Sequence, residues 1–161
     1  MSFQPSFFQS GSPEKIISHD GEVTLFRGFL TGEEASSYFD VLKERIEWQQ
    51  DQISLYGKVH DVPRLQAWYG DEGLDYQYSG IQLVAKPWFN ELLSLKKKVE
   101  DRLGEKFNAV LMNLYRSGDD YVAWHSDNEK ELGEDPHIAS VSLGEERKFV
   151  FRHKETKEKV E

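Results

Sequence analysis

The spacing of apolar and polar positions changes partway along the chain, and that change marks out its elements. Near the start Val23 and Leu25 alternate with Thr24 and Phe26, which predicts a strand within Glu22–Leu30. Thr31 followed by Glu34 is a capping-box pattern, and Ala35, Tyr38, Phe39, Leu42 and Ile46 recur behind it at helical spacing. Gln52 to Tyr69 reads as a hairpin of two strands turning near Tyr56-Gly57-Lys58, with Pro63 weakening the start of the second. A turn at Gly70–Gly73 leads to a further strand over Tyr76–Leu83. Pro87 suits the first position of a second helix, striped by Trp88, Leu92, Leu95, Val99 and Leu103 and ended by Gly104. Beyond it the period falls to two, predicting strands around Asn108–Tyr115, Tyr121–His125, Ile138–Leu143 and Arg147–His153. Two helices and early strands, then a run of antiparallel strands, predict an α+β chain with a barrel or jelly-roll half. Residues 1 to 14 read as a loose arm. Lys154–Lys159 reads as a polar hairpin turn with no return strand behind it, leaving an unpaired edge.

Composition narrows this picture. A chain of 161 residues suits a single domain, and 38% hydrophobic with 13% aromatic residues is enough to build a core. With 29 acidic against 20 basic residues the net charge is −9, which excludes a simple polycationic nucleic-acid binder but not a locally basic face. The absence of cysteine removes disulfide scaffolds, thiolate metal sites and cysteine nucleophiles. No apolar run reaches the ~20 residues of a membrane helix, and the first residues lack the order of a signal peptide. A soluble intracellular protein is expected, cytoplasmic in a bacterium or nuclear in a eukaryote.

The sharpest chemical feature is His125-Ser126-Asp127. On a strand, positions i and i+2 point the same way, so imidazole and carboxylate would converge. One histidine and one carboxylate are two of the three donors that hold non-haem iron(II) with open positions. Taken alone, H-x-D also fits an ordinary surface turn. Its context adds to it: Asn113-Leu114-Tyr115 and a Ser117–Asp120 turn come before, and Ile138–Gly144 and Arg147–Lys154 come after.

In these segments (NLYRSGDDYVAWHSDNE, IASVSLGEERKFVFRHK and, upstream, VPRLQAWYGDEGLDYQYSG) the chain resembles the AlkB family of iron(II)- and 2-oxoglutarate-dependent dioxygenases, closest to its DNA-repairing branch. The resemblance spans Ile53 to Lys154. It implies a double-stranded β-helix, or jelly-roll, fold beginning within residues 107–161, with residues 21–106 as an N-terminal extension and nucleotide-recognition lid after an arm over 1–20. It implies that His125 and Asp127 bind iron(II), while Asn113 and Tyr115 hydrogen-bond the 2-oxoglutarate carboxylates. Tyr76 and Tyr78 would line a base pocket, with Glu129 near the edge of the flipped base. Leu55, Tyr56 and Gly57 would form a finger that wedges into a duplex. The implied reaction uses oxygen to hydroxylate an N-alkyl group on a base in DNA, with RNA as an alternative. The hemiaminal then breaks down to an aldehyde and the repaired base, and the complete enzyme is a monomer that needs no membrane.

Plainer readings stand beside these. Tyr76 and Tyr78 also fit half-buried sheet positions, Tyr56 an ordinary exposed hairpin tip, and Lys96-Lys97-Lys98 a solvated helix face. The family's second iron-binding histidine and its arginine-bearing 2-oxoglutarate strand have no match in the 34 residues after Asp127. His137 and His153 are the remaining downstream histidines. The resemblance therefore implies a fragment or truncated member lacking its C-terminal strands. Two rival functions remain: a catalytically inactive nucleic-acid-binding module, and a hydroxylase of another substrate on the same fold.

Overall fold

The structure, a computed structural model, describes residues 11–55, 57–78, 81–127, 132–133 and 135–161. The chain divides into two compact units, Asp40–Val141 and Met1–Phe39 with Ser142–Glu161. Its described residues are mixed α/β, with two helices and ten short strands in five two-stranded sheets.

In the unit made from the chain's two ends, β1 (Glu14–Ile17) pairs antiparallel with β2 (Val23–Leu25) through a bulge between Lys15 and Ile17. The predicted first strand is thus shorter than its pattern, and it finds its partner at the edge of the segment read as an arm. At the other end Phe151–Arg152 pairs with a return strand, Lys159–Val160 (β9 and β10 in the full order). The sequence reading expected no such strand. The turn closes because His153 Nδ1 accepts the N–H groups of Glu155 and Thr156 (3.2 and 3.1 Å), and the His153 N–H donates to the Glu158 carbonyl (2.9 Å). The Phe149 and Phe151 rings lie 4.9 Å apart in the same unit.

Helix α1 (Gly32–Arg45) begins at the predicted capping box. The Thr31 N–H donates to Glu34 Oε2 (2.9 Å), and the Glu34 N–H donates to Thr31 Oγ1 (3.2 Å). Leu42 and Ile46 of its stripe are buried.

In the larger unit β3 (Gln52–Leu55) and β4 (Lys58–Asp61) form a hairpin whose last pair is Leu55↔Lys58. Just before Lys58, Gly57 has φ 76°, a conformation glycine adopts without strain. The second arm ends before Pro63. The segment beyond it is a separate strand, β5 (Leu65–Gly70), which pairs antiparallel with β8 (Ala109–Leu114). The single strand predicted over Tyr76–Leu83 is a hairpin of β6 (Tyr76–Tyr78) and β7 (Ile81–Leu83). Helix α2 (Asn90–Leu103) buries Leu92 and Leu95, and it ends where the Gly104 N–H donates to the Glu100 carbonyl (2.8 Å).

The unit's core draws on Leu42 and Ile46 at the end of α1, Val62, Ala67 and Tyr69, Leu83, and Leu92 and Leu95 of α2. Each fully buried Leu, Ile or Val is worth roughly 1.5–3 kcal/mol. Phe89, just before α2, ties three of these elements together. The Arg45 guanidinium lies 4.6 Å over its ring, and Tyr69 meets it edge-on at 5.6 Å.

The predicted strands Tyr121–His125 and Ile138–Leu143 do not form, and Arg147–His153 is a strand only at Phe151–Arg152. Alternation says which side chains would share a face. A strand also needs a hydrogen-bonded neighbour, and among the described residues Tyr121–His125 and Ile138–Leu143 pair with none. No closed jelly roll is present among the described residues.

Candidate metal and co-substrate site

The site grows from one end of the β5–β8 pair. Gln66 stands directly opposite Asn113, and Leu65 opposite Leu114. Arg64, two residues before Gln66, continues the same face. Arg64 and Gln66 are 5% and 1% exposed, far more buried than polar residues at a strand end usually are. The Arg64 Nε–H donates to Asn113 Oδ1 (2.8 Å), and Gln66 Nε2 donates to the same oxygen (3.2 Å). Asp51 belongs to this polar group. Burial pushes its carboxyl above the usual carboxylate range, against the opposing pull of the Arg64 charge, and its Oδ2 has no hydrogen-bond partner among the described residues.

After Tyr115 the chain turns sharply, and Arg116 holds the turn. Its Nε and Nη2 grip both carboxylate oxygens of buried Asp120 (2.8 and 2.9 Å), and its backbone N–H reaches the same carboxylate (2.8 Å). Nη1 donates to Gln50 Oε1 (3.0 Å), while Gln50 Nε2 donates to the Val62 carbonyl (2.6 Å). The Tyr121 N–H then donates to the Pro63 carbonyl (2.9 Å). This network leads the segment carrying His125 and Asp127 back past the residue before Arg64.

That segment is irregular rather than the strand the sequence suggested. Even so, the structure brings the two expected metal ligands together. His125 Nε2 lies 3.3 Å from Asp127 Oδ1, with the side chains 39% and 44% exposed. His125 Nδ1 is 2.8 Å from the Ala123 carbonyl. A carbonyl only accepts, so in the neutral ring the proton sits on Nδ1, and the Nε2 lone pair is left beside the carboxylate. That is the tautomer a metal ligand needs, held by the kind of outer contact that orients metal-binding histidines. The pair fits two positions of a non-haem iron(II) site. Among the described residues no cluster of three or more potential metal ligands forms. The other downstream histidines are engaged elsewhere. His137 pairs with Glu105 (3.1 Å), and His153 holds the β9–β10 turn and pairs with Asp20 (3.2 Å).

Asn113 is the last residue but one of β8, and Tyr115 follows just after the strand ends at Leu114, half-buried. Tyr76 and Tyr78 lie in β6, opposite Leu83 and Ile81 of β7. Leu55 ends β3 and Gly57 sits in the hairpin loop. Tyr56 and Glu129 lie outside the described residues. Lys97 pairs with Asp101 on an exposed helix face, as a solvated run would have it, whereas Lys96 is mostly covered and pairs with buried Glu100. Arg64 and Gln66 are the residues that reading the sequence missed. The signal available was an Arg and a Gln, two apart, interleaved with apolar Leu65 and Ala67.

The family model described as the 2OG-Fe(II) oxygenase superfamily matches residues 22–161, so the chain belongs to that superfamily, whose fold is the jelly roll. The human protein named DNA oxidative demethylase ALKBH2 is 43% identical over 129 residues, covering 78% of this chain and 49% of the relative. Its mouse counterpart is 42% identical over 129 residues, covering 78% and 54%. The bovine alpha-ketoglutarate-dependent dioxygenase alkB homolog 3 is 43% identical over 133 residues, covering 82% and 46%. Within the superfamily these likenesses put the chain in the AlkB family. The chain spans about half the length of the curated relatives it matches.

Proposed function

We propose that the whole protein is an iron(II)- and 2-oxoglutarate-dependent demethylase of alkylated bases in DNA, and that this chain carries two of its metal ligands and part of its co-substrate site. The observation that carries the reading is the His125–Asp127 pair, with Nε2 and Oδ1 3.3 Å apart and Nδ1 tied to the Ala123 carbonyl. The matched relatives, two named DNA oxidative demethylases and one an alpha-ketoglutarate-dependent dioxygenase, support the reaction class.

Bound iron(II), 2-oxoglutarate and oxygen supply the oxidising power that turns an N-methyl group on the base into released formaldehyde. The chain's own residues bind and orient. His125 Nε2 and Asp127 donate to the metal. The amide nitrogen of Asn113 and the Tyr115 hydroxyl hold the carboxylates of 2-oxoglutarate. Tyr76 and Tyr78 offer aromatic faces to a base drawn out of its stack, and Glu129 reads that base's edge. The β3–β4 hairpin, with Leu55, Tyr56 and Gly57 at its tip, belongs to the lid and fills the gap left in a duplex.

The test is formaldehyde release from methylated single-stranded DNA by the whole protein. His125→Ala and Asp127→Ala should each abolish release with the fold intact, because loss of one of three donors loosens the metal beyond what neighbours offset. Near-normal release from Asp127→Ala overturns the dioxygenase reading. Retained DNA binding with no release from the unmodified protein favours an inactive binding module.

A further inference from the structure

An asparagine side chain has a donating end and an accepting end, and little in the amide itself decides which faces where. At Asn113 the surroundings decide. Arg64 is buried, and a guanidinium carries donors only. Its Nε–H points at the Asn113 amide from 2.8 Å, so the end it meets must be the oxygen. Gln66 can also reach that oxygen only with its nitrogen, at 3.2 Å. The consequence is visible one atom further on. Gln66 Oε1 is buried with no partner among the described residues, an acceptor left unmade because the arginine dictates the order of ends. Asn113, by contrast, is exposed, and its Nδ2 has no hydrogen-bond partner among the described residues. Two inward-held donors therefore turn both N–H bonds of Asn113 toward open space. The charge on Arg64 also polarises the amide through its oxygen, making those N–H groups stronger donors.

We infer that Arg64 and Gln66 are positioning residues that lock the Asn113 amide with its nitrogen outward, as a preset donor for a carboxylate of 2-oxoglutarate. The inference rests on the proposed reading of Asn113 as a co-substrate contact, and it extends that reading to two residues that need not touch the co-substrate. A reversed amide would present an oxygen to an anion, so the lock separates attraction from repulsion at that contact.

The experiment measures 2-oxoglutarate binding to the whole protein by calorimetry with manganese(II) in place of iron, alongside the KM and kcat for 2-oxoglutarate. Asn113→Asp keeps the acceptor that Arg64 and Gln66 need but removes the outward donor, and it should weaken binding about tenfold or more. Gln66→Glu offers only acceptors, invites the Asn113 nitrogen inward and can pair with Arg64. It should also weaken binding about tenfold, chiefly in KM. Gln66→Met removes one inward donor without attracting the nitrogen, so its loss should be smaller, about threefold. Equal losses in Gln66→Glu and Gln66→Met overturn the lock, because packing alone then explains both. Unchanged binding in Asn113→Asp overturns instead the reading of Asn113 as a co-substrate contact. If Gln66→Glu does not fold, the unmodified protein and Gln66→Met, each loaded with zinc(II), decide by their nuclear magnetic resonance spectra. The Asn113 side-chain 1H–15N signals should move on saturation with 2-oxoglutarate and should move less in Gln66→Met; equal movement in the two overturns the lock, and no movement in either overturns the reading of Asn113 as a co-substrate contact.

Discussion

The carboxylate of Glu100, on a residue only 8% exposed, meets Lys106 Nζ at 2.9 Å, the Phe107 N–H at 3.1 Å and Lys96 Nζ at 3.0 Å. The hydrogen bond from Lys106, then those from Phe107 and Lys96, hold its pKa down at about 2 against an ordinary 4.5. A carboxyl lowered by folding binds fewer protons folded than unfolded. Its stabilisation is therefore present above about pH 4.5 and is lost as pH falls toward about 2. Acid unfolding followed by circular dichroism should steepen across that window, and Glu100→Gln should flatten it. An unchanged curve in Glu100→Gln would mean that another carboxylate sets the slope. The same scale shows what a sequence can reveal of a site. His125 and Asp127 announce themselves because the two residue types, two apart, already suggest shared chemistry. Arg64 and Gln66 do not, because a polar residue at a strand end is normally read as facing water. The register of β5 against β8 places Gln66 opposite Asn113, and only the folded chain shows that Arg64 also turns inward onto it.

Among the elements, the helices were the most legible, because their signals are local. Thr31 and Glu34 exchange both hydrogen bonds of the capping box that their spacing announces. Thr31→Ala removes the hydroxyl that accepts the Glu34 N–H and should cost about 1 kcal/mol of stability, read from urea unfolding. Glu34→Gln keeps an acceptor for the Thr31 N–H, so it should cost less. Equal losses would show that the charge of Glu34, rather than the reciprocal bonds, steadies the helix start. The strands were less legible, because pairing is not local. The β3–β4 hairpin was found from its turn and the β5–β8 pair was not, since its partners lie some forty residues apart in the chain. Tyr121–His125 alternates well and still forms no ladder among the described residues. Its position comes instead from Arg116, Asp120 and the Tyr121–Pro63 hydrogen bond.

At the scale of the whole molecule the chain's charge stands against its proposed substrate. A net charge of −9 gives no general attraction for a polyanion, so engagement with DNA has to come from local contacts and shape. The strand pattern left a barrel and a jelly roll open, the resemblance chose the jelly roll, and membership of the superfamily supports that choice. The feature proposed for shape recognition is the β3–β4 hairpin. Its register carries Leu55 and Lys58 to the last pair, with Gly57 just before Lys58. If Tyr56 enters a duplex where a base has left, it offsets an unstacking cost of a few kcal/mol. A single strand has no such gap to fill. Tyr56→Ala should therefore lower turnover on methylated duplex DNA about tenfold more than on the same methylated sequence as a single strand. The gap between substrates should narrow when the lesion sits opposite a mismatch, since part of the unpairing is then already done. Parallel kinetics on the three substrates, with melting temperature checked for the variant, separate this role from a structural one. Equal losses on duplex and single strand would make Tyr56 a residue that merely steadies the hairpin, and the wedge would have to be sought elsewhere.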